Sequence, residues 1–538
     1  MSSYQTQPGP FQQFLRSFLQ DNGAGFREVL TDEQIERAAR LQNLSFGAGK
    51  DDIYSVPLTL WAFVTQAVSE SKSCLAAVAR VLAWLTKLGR PACDAATGAY
   101  CKARAKLTEL FLWFLTCDVG RHLEDQAPAA WRWHGKRVVL VDGSTLGLQD
   151  TPANQAAYPQ SRSQRPGVGF PIVRWVALLG LATGVVLDSA VGPYRGKQTG
   201  ETALFRTLLS SLYRGDVVLA DRYYCSYWMV ALLQEIGVDV VFRKHQLRHT
   251  DFRTGRRLGR NDHIVTWTKP QRPQWMDQAT YASLPETLAL REVRTKVTTP
   301  GCRVEELVVV TTLHDHETYS KDEILDLYHE RWHAEIDLRS IKTQMKMEIL
   351  RCKTPAMVRK EIWAHLLAYN LVRKVMAQAA AEHQLTPRQI SFAGAMQTLN
   401  EFRTLLLHAS AAELPEMTRR ILAAIARHRV GNRPGRCEPR KVKRRPKGYA
   451  RLLNPRAEGT RQADPRSKAF LTQVRHACRA PKSRRLFTSR PTTLTQGISK
   501  SPPPWRPSCA LSRRTVTPCA ASKYATLIPT PYRIQLLS

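Results

Sequence analysis

"RVVLVDGS", residues 137–144, marks a change in the character of the chain. Before it, the strong signals have helical period: "LTDEQIERAARLQ" (30–42), "SCLAAVARVLAWLTKL" (73–88) and "ARAKLTELFLWFLTCDVGRHLED" (103–125). At Arg137 a β-branched run begins, and it ends in an acid, Asp142. "DVVLADRYY" (216–224) repeats the pattern, and its run ends in Asp221. Unbroken apolar runs of this kind are strands buried on both faces. Between them, "FPIVRWVALLGL" (170–181) and "GVVLDSAV" (184–191) read as a hairpin. "TGETALFRTLLSSL" (199–212) and "YWMVALLQEIG" (227–237) read as helices, and "VDVVFR" (238–243) as a further strand. Strands alternating with helices predict a mixed α/β sheet.

An acid at the carboxyl end of each of two central strands points to the sheet edge where α/β sites form. Alone, either Asp reads equally well as a strand-end cap or turn residue. As a matched pair they repel one another and are costly to desolvate unless a counter-charge is present, which a divalent cation would supply. A third acid comes from "YHERWHAEIDLRSIK" (328–342), which has no obvious breaker and reads as helix. Tyr328, Arg331, Glu335 and Lys342 fall within roughly 60° of one another at about 100° per residue. Apolar Leu327, Ala334, Leu338, Ile341 and Met345 form a stripe beside them that can face a core. Arg331 and Glu335, four apart, also suit a plain salt-bridged surface face. With Glu335, the acids make three oxygen donors, a set suited to one or two Mg²⁺ ions.

The totals set the class. The chain has 538 residues, enough for several domains, and a formal net charge of +34. That excess favours a polyanionic partner, nucleic acid above all, with an anionic membrane surface as the other candidate. The 11 cysteines are scattered with no CxxC pair, which indicates neither a zinc site nor a disulfide framework and fits a reducing cytosol. The first residues lack a signal-peptide pattern, and no apolar run is long enough to span a membrane. "GAGKDD" (47–52) lacks the spacing of a phosphate loop.

Seven regions follow. Residues 1–130 are helical. Residues 131–243 and 321–378 are the two parts of an α/β core. Residues 244–320, with "HIVTWT", "LALREVRTKV" and "EELVVVTTL", are a β-rich insertion. Residues 379–430 are helical. A basic arm occupies 431–460; the stretch 427–456 holds 12 Lys or Arg against one acid, Glu438. It reads as a phosphate-contacting arm or a solvated linker. The tail, 461–538, carries 15 Lys or Arg against Asp464 alone, with the composition of a disordered segment, and is expected to be a read-through or frame-shifted extension.

These residues bear a family likeness. The chain resembles the DDE transposases of bacterial insertion sequences, in the branch named after insertion sequence four. That branch carries Tyr, two residues, Arg, three residues, Glu, six residues, Lys, and Tyr328, Arg331, Glu335 and Lys342 match every spacing. "DGST" (142–145) and "LADRYYCSYW" (219–228) resemble its two Asp motifs, and "TGAYCKAR" (97–104), "TTLHD" (311–315) and "YNLVR" (369–373) are also similar. The likeness spans roughly residues 60–455 and stops short of the tail.

The resemblance implies a ribonuclease-H-like core split by a β-rich insertion. It implies that Asp142, Asp221 and Glu335 hold two Mg²⁺ ions, with Mn²⁺ able to substitute, for cutting transposon ends and joining them to target DNA. It also implies phosphate contacts from Arg331 and Lys342, and a phosphate or base contact from Tyr328. The N-terminal helices are expected to read the terminal repeats of double-stranded DNA. A homodimer is expected to pair the ends, in the bacterial cytoplasm at the nucleoid and with no membrane. Relatives that cut through a DNA hairpin carry a Trp on the last insertion strand. "EELVVVTTL" (305–313) has none, and Trp267 and Trp275 lie earlier, where an aromatic core role suits them. Two other readings stay open: a metal-dependent nuclease without strand transfer, and an inactive DNA-binding relative acting as a repressor.

Overall fold

The computed structural model describes residues 30–431, except positions 31, 48, 50, 51, 70, 88, 297–305 and 411. The basic arm beyond its first residue, and the tail from 461, lie outside the described residues.

Five helices precede the sheet: α1 (Asp32–Leu41), α2 (Val56–Val68), α3 (Cys74–Lys87), α4 (Gly98–Lys106) and α5 (Glu109–Asp125). Ser55 and Thr108 cap α2 and α5 with their hydroxyls. The sheet has nine strands: β1 (Val138–Gly147), β2 (Ile172–Gly180), β3 (Val186–Pro193), β4 (Val217–Ala220), β5 (Asp239–Arg243), β6 (Arg256–Gly259), β7 (Asp262–Thr268), β8 (Thr287–Lys296) and β9 (Glu306–Thr311). Their order is β3-β2-β1-β4-β5-β9-β8-β7-β6. β1, β2 and β3 pair antiparallel, and β1, β4 and β5 pair parallel. Three antiparallel strands followed by two parallel crossovers make the ribonuclease-H-like arrangement. The β-rich segment does not form a separate layer. β9 pairs antiparallel with β5, and β8, β7 and β6 extend the same sheet outward.

The period of two along each strand sorts side chains into two cores. Val138, Leu140, Val217, Leu219, Val241 and Trp175 face one cluster, which includes α5 and the long helix described below. Val139, Val141, Val218, Ala220, Val240 and Phe242 face the other. That second face is covered by α7 (Glu201–Arg206) and α8 (Tyr227–Glu235); α6 (Pro152–Ala157) follows β1. Residues 199–212 form α7 and a 3-10 turn at Leu209–Ser211, not one helix, because Ser211 turns inward to Asp188.

The second half of the chain adds α9 (Gln278–Ser283), α10 (Lys321–His329), α11 (Trp332–Arg339), α12 (Pro355–Glu382), α13 (Phe392–His408) and α14 (Leu414–Arg427). The 28-residue α12 is the central pillar, and most of its residues are buried. Among the described residues no helix is long and apolar enough to cross a membrane. The expected "YNLVR" motif lies on α12. Tyr369 donates its hydroxyl to Gly184 O (2.8 Å). Asn370 accepts from Val186 N (2.8 Å) and donates to Val186 O (2.8 Å), so it joins α12 to β3 as a backbone would. Gly120 of α5 must lack a side chain here, because a β-carbon would stand 2.2 Å from Val186 O.

One buried ion pair aligns the two central strands. Arg137 donates from Nε and Nη2 to the two oxygens of Asp216, at 2.8 and 2.6 Å, and Tyr213 covers the guanidinium at 4.0 Å. Both partners are almost fully buried. Each immediately precedes its strand, and Val138 pairs with Val217. Removing one member of such a pair leaves an uncompensated buried charge. Arg137→Met is therefore expected to destabilise the chain by about 3–5 kcal/mol in urea unfolding, while Arg137→Met with Asp216→Leu recovers most of the loss. A single-variant loss below about 1 kcal/mol, the level of an exposed pair, would contradict this role.

Candidate active site

The strand register places two of the expected acids together. Leu140 pairs with Leu219, and Asp142 and Asp221 each lie two residues further on. They stand at one level on neighbouring parallel strands. Asp142, within β1, is on the face of Leu140, the one that carries α10 to α12, and Asp221 follows directly on β4. Asp142 is not at a strand end, as expected, but in the middle of β1. The antiparallel partner β2 keeps pairing with β1 as far as Gly147, whereas pairing with β4 stops at Leu140. The acid therefore sits where one neighbour falls away. Asp221 is the first residue past β4, and its Oδ1 accepts from Tyr223 N (2.7 Å), so it is also a turn cap.

The segment expected as one helix is two, α10 and α11, continued by a π-helical turn at Ser340–Gln344. A capping box of Ser320 and Glu323 starts α10. At Glu330 and Arg331 the backbone tightens: Arg331 N bonds Tyr328 O (3.1 Å), His333 N bonds Glu330 O (2.9 Å) and Ala334 N bonds Arg331 O (3.0 Å). These are three-residue bonds, which overwind the chain, and the π turn then underwinds it. Ala334, Leu338 and Ile341 still face the core. The four signature side chains therefore lie along the acids. Tyr328 is buried. Arg331 donates to Glu335 Oε1 at 2.9 Å, the salt bridge that the plain surface reading predicted. Lys342 Nζ donates to Ser144 Oγ at 2.8 Å, and Ser144 is two residues beyond Asp142 on the same face.

α11 is held by Asp337, which is fully buried. It pairs with Arg373 of α12 and with Arg388 (2.7 Å). Arg388 also donates to Leu181 O and Gly180 O, both at 2.8 Å, at the turn of the β2–β3 hairpin. Glu335 is thus two residues from an anchor that ties its helix to both the pillar and the sheet.

Electrostatics mark the place. Burial pushes the Asp142 carboxyl up to about 6; the Gly143 N–H and Arg331 pull against the rise, while Glu201 and Glu335 add to it. Burial likewise pushes the Tyr328 phenol up to about 12, with Arg331 and Arg243 pulling the other way and Asp221 adding to the rise. Arg243 lies below the usual guanidinium range because it is partly buried beside Arg222 and Arg331. Crowded acids next to crowded guanidiniums are suited to an anionic backbone with cations bridging it.

Among the described residues no three His, Cys, Asp or Glu side chains close tightly enough to enclose an ion, and Glu335 faces Arg331. The chemistry of the donor set nevertheless fits a hard divalent cation. The acids offer only oxygen, and Asp142 is short of positive charge at neutral pH.

Three nearby residues escaped the sequence reading. Arg243 was read only as the end of a strand, and Asp337 as one more polar position on a helix. Glu201 was read within a helix, although an acid opening the helix after the hairpin was a visible signal. Trp267 is buried beneath Arg248, whose guanidinium lies 3.7 Å from the ring, and Trp275 packs against the second core under Arg206 at 3.8 Å. Trp267 is a core aromatic, as expected, while Trp275 is a partly exposed ring at the margin of that core.

Known proteins resemble this chain. Residues 133–371 match the family described as "Transposase DDE domain". The chain is 28% identical over 324 residues to "Transposase InsG for insertion sequence element IS4" of Escherichia coli K12, a match covering 59% of this chain and 70% of that protein. A solved piggyBac transposase synaptic complex with hairpin DNA aligns with 81% of this chain and 88% of its own at 11% identity, with a TM-score of 0.36, too loose a likeness to argue from.

The Asp142 carboxyl lies above its ordinary value of 3.8, so its contribution to stability is complete below that pH and is lost as pH rises through about 6. In cation-free protein, Asp142→Asn is expected to be more stable than the wild type near pH 8, by on the order of 1–3 kcal/mol. The gap should close as pH falls toward 4 in urea titrations. A gap that does not change with pH would contradict the crowding.

Proposed function

This chain is a DDE transposase of the insertion-sequence-four type, and we propose that Asp142, Asp221 and Glu335 are its three catalytic acids. Enzymes of this class cut DNA and transfer strands with divalent metal ions. The observation that carries the assignment is the β1–β4 register. It brings Asp142 and Asp221 to one level at the ends of neighbouring parallel pairs, under the helix that bears Glu335.

Two Mg²⁺ ions, or Mn²⁺ in their place, are the cations we infer for these carboxylates. When bound, they supply Lewis acidity at the phosphorus and at the departing oxygen. The remaining work falls to the protein. Arg331 is already oriented by Glu335, and its fork can grip a phosphate of the cut strand. Lys342, braced on Ser144, supplies a point charge on the other side of Asp142. Tyr328, held protonated, can donate its hydroxyl to a phosphate oxygen. The buried floor beneath Asp142 limits water at the acids.

The DNA is double-stranded: the element's end repeats and the target. The N-terminal helices are assigned to the repeats, the basic arm to phosphates, and a homodimer to the pairing of two ends, in the bacterial cytoplasm at the nucleoid. The packing of Trp267 in the second core and of Trp275 against it gives no support to a hairpin route.

Excision of the cloned element from a plasmid in cells tests the assignment. Asp142→Asn, Asp221→Asn and Glu335→Gln should each abolish it while end-DNA binding persists. Survival of excision in any one of them would remove that residue from the set. Cut ends that never appear joined to target would indicate a nuclease instead. Arg331→Ala and Lys342→Ala should each lower the salt slope of DNA binding by about one. Unchanged slopes would take both off the phosphate contacts.

A further inference from the structure

Glu201 opens α7 on the second face of the sheet, and its charge acts on Asp142 of the first. The gap that admits it is Gly143, the residue after Asp142. A β-carbon there would stand 2.5 Å from Glu201 Cδ and 2.9 Å from its Oε2. Any larger residue would have to displace the carboxylate. The Glu201 side chain thus occupies the space that a side chain at position 143 would take.

The Glu201 carboxylate has no hydrogen bond or ion pair among the described residues. The charges that act on it are Arg174, which favours its ionised form, and Asp221, which opposes it. Arg174 is itself shared: it lies over the Tyr194 ring at 5.0 Å, and its buried Nε has no partner. A half-buried carboxylate without a donor is costly unless a cation approaches.

A second observation points to the same spot. The Tyr224 side chain is almost fully buried, and its hydroxyl has no hydrogen-bond partner. The acids whose charge it feels are Glu201, Asp142 and Asp221. An orphaned donor beside three carboxylates, one of them without a partner, describes a polar site built for something further.

We propose that Glu201 is a fourth carboxylate of the cation site, reaching Asp142 and Asp221 through the gap at Gly143, with the Tyr224 hydroxyl orienting it. The proposal rests on the three-acid reading above. With the fourth acid in place, both faces of β1 contribute charge to the site, and divalent cations are held more strongly than by Asp142, Asp221 and Glu335 alone.

The test is Mn²⁺ binding by the full chain, read from the electron paramagnetic resonance of free Mn²⁺, together with the thermal midpoint in a chelator. Glu201→Gln should weaken Mn²⁺ about tenfold, the low end for a group tuning a metal site. Its cation-free midpoint should be unchanged or higher, because a like charge has gone. Glu201→Asp should recover part of the affinity, and Tyr224→Phe should lose less than Glu201→Gln. Asp142→Asn is the reference. If Asp142→Asn weakens Mn²⁺ and Glu201→Gln stays within about twofold of the wild type, the fourth acid is overturned and the three-acid reading stands. If Asp142→Asn has no effect, the three-acid reading itself fails. A lowered cation-free midpoint in Glu201→Gln, with Mn²⁺ affinity kept, would assign Glu201 to packing and overturn the proposal.

Discussion

The buried pair of Arg137 and Asp216 sets the geometry on which the site depends. Parallel strands have no hairpin to fix their register, and a slip of one residue would turn every side chain to the opposite face. The pair sits one residue before β1 and one before β4, and its two hydrogen bonds fit only one alignment. From there the strands run level. Asp142 is five residues past Arg137, and Asp221 is five past Asp216. An ion pair at one end of the two strands thus helps set the level at which two acids stand at the other. The desolvation it costs is offset by a bidentate geometry and a covering ring, Tyr213.

The third acid is brought in by a different device. α11 is short, overwound where it begins and underwound where it ends, so propensity alone would not hold it. Asp337 holds it instead, against Arg373 and Arg388. Arg373 also donates to the Tyr369 hydroxyl (2.7 Å), which in turn reaches Gly184 O, and Arg388 reaches Gly180 O. Pillar, hairpin turn and signature helix form one polar network with its members paired. Such a network is rigid because each missing partner would leave a buried charge exposed to no water. The "YNLVR" motif is explained by this clamp and by Asn370, not by chemistry at the acids.

Between these two anchors the protein concentrates like charge. Asp142 is held above its ordinary range by burial and by other acids, and Arg243 below its own by burial and other guanidiniums. Both arrangements oppose folding, and the proposed ligand set, cations for the acids and phosphates for the guanidiniums, would relieve both. The net charge of +34 acts at longer range, drawing in the polyanion and making its binding depend on salt.

Much of this was legible in the chain itself. The runs at 138–142 and 217–221 announced buried strands ending in acids, and the spacing of Tyr328, Arg331, Glu335 and Lys342 announced a functional helix face, because strand and helix periods are local properties. The alternation of elements announced the α/β core. Other features needed the folded molecule. That Asp142 lies within its strand follows from β2 outlasting β4 as a neighbour. The continuous nine-strand sheet follows from β9 pairing with β5, a contact no local pattern encodes. The overwinding at Arg331 reflects tertiary packing that propensity does not report. Asp337 looked like an ordinary polar position on a helix, and only the two arginines that reach it give it a role; Glu201, a visible acid at a helix opening, owes its proposed role to the closeness of Gly143. Local periodicity determined which residues could be strand, helix and acid; long-range pairing decided which of them meet, because register and burial are set between segments far apart in the chain.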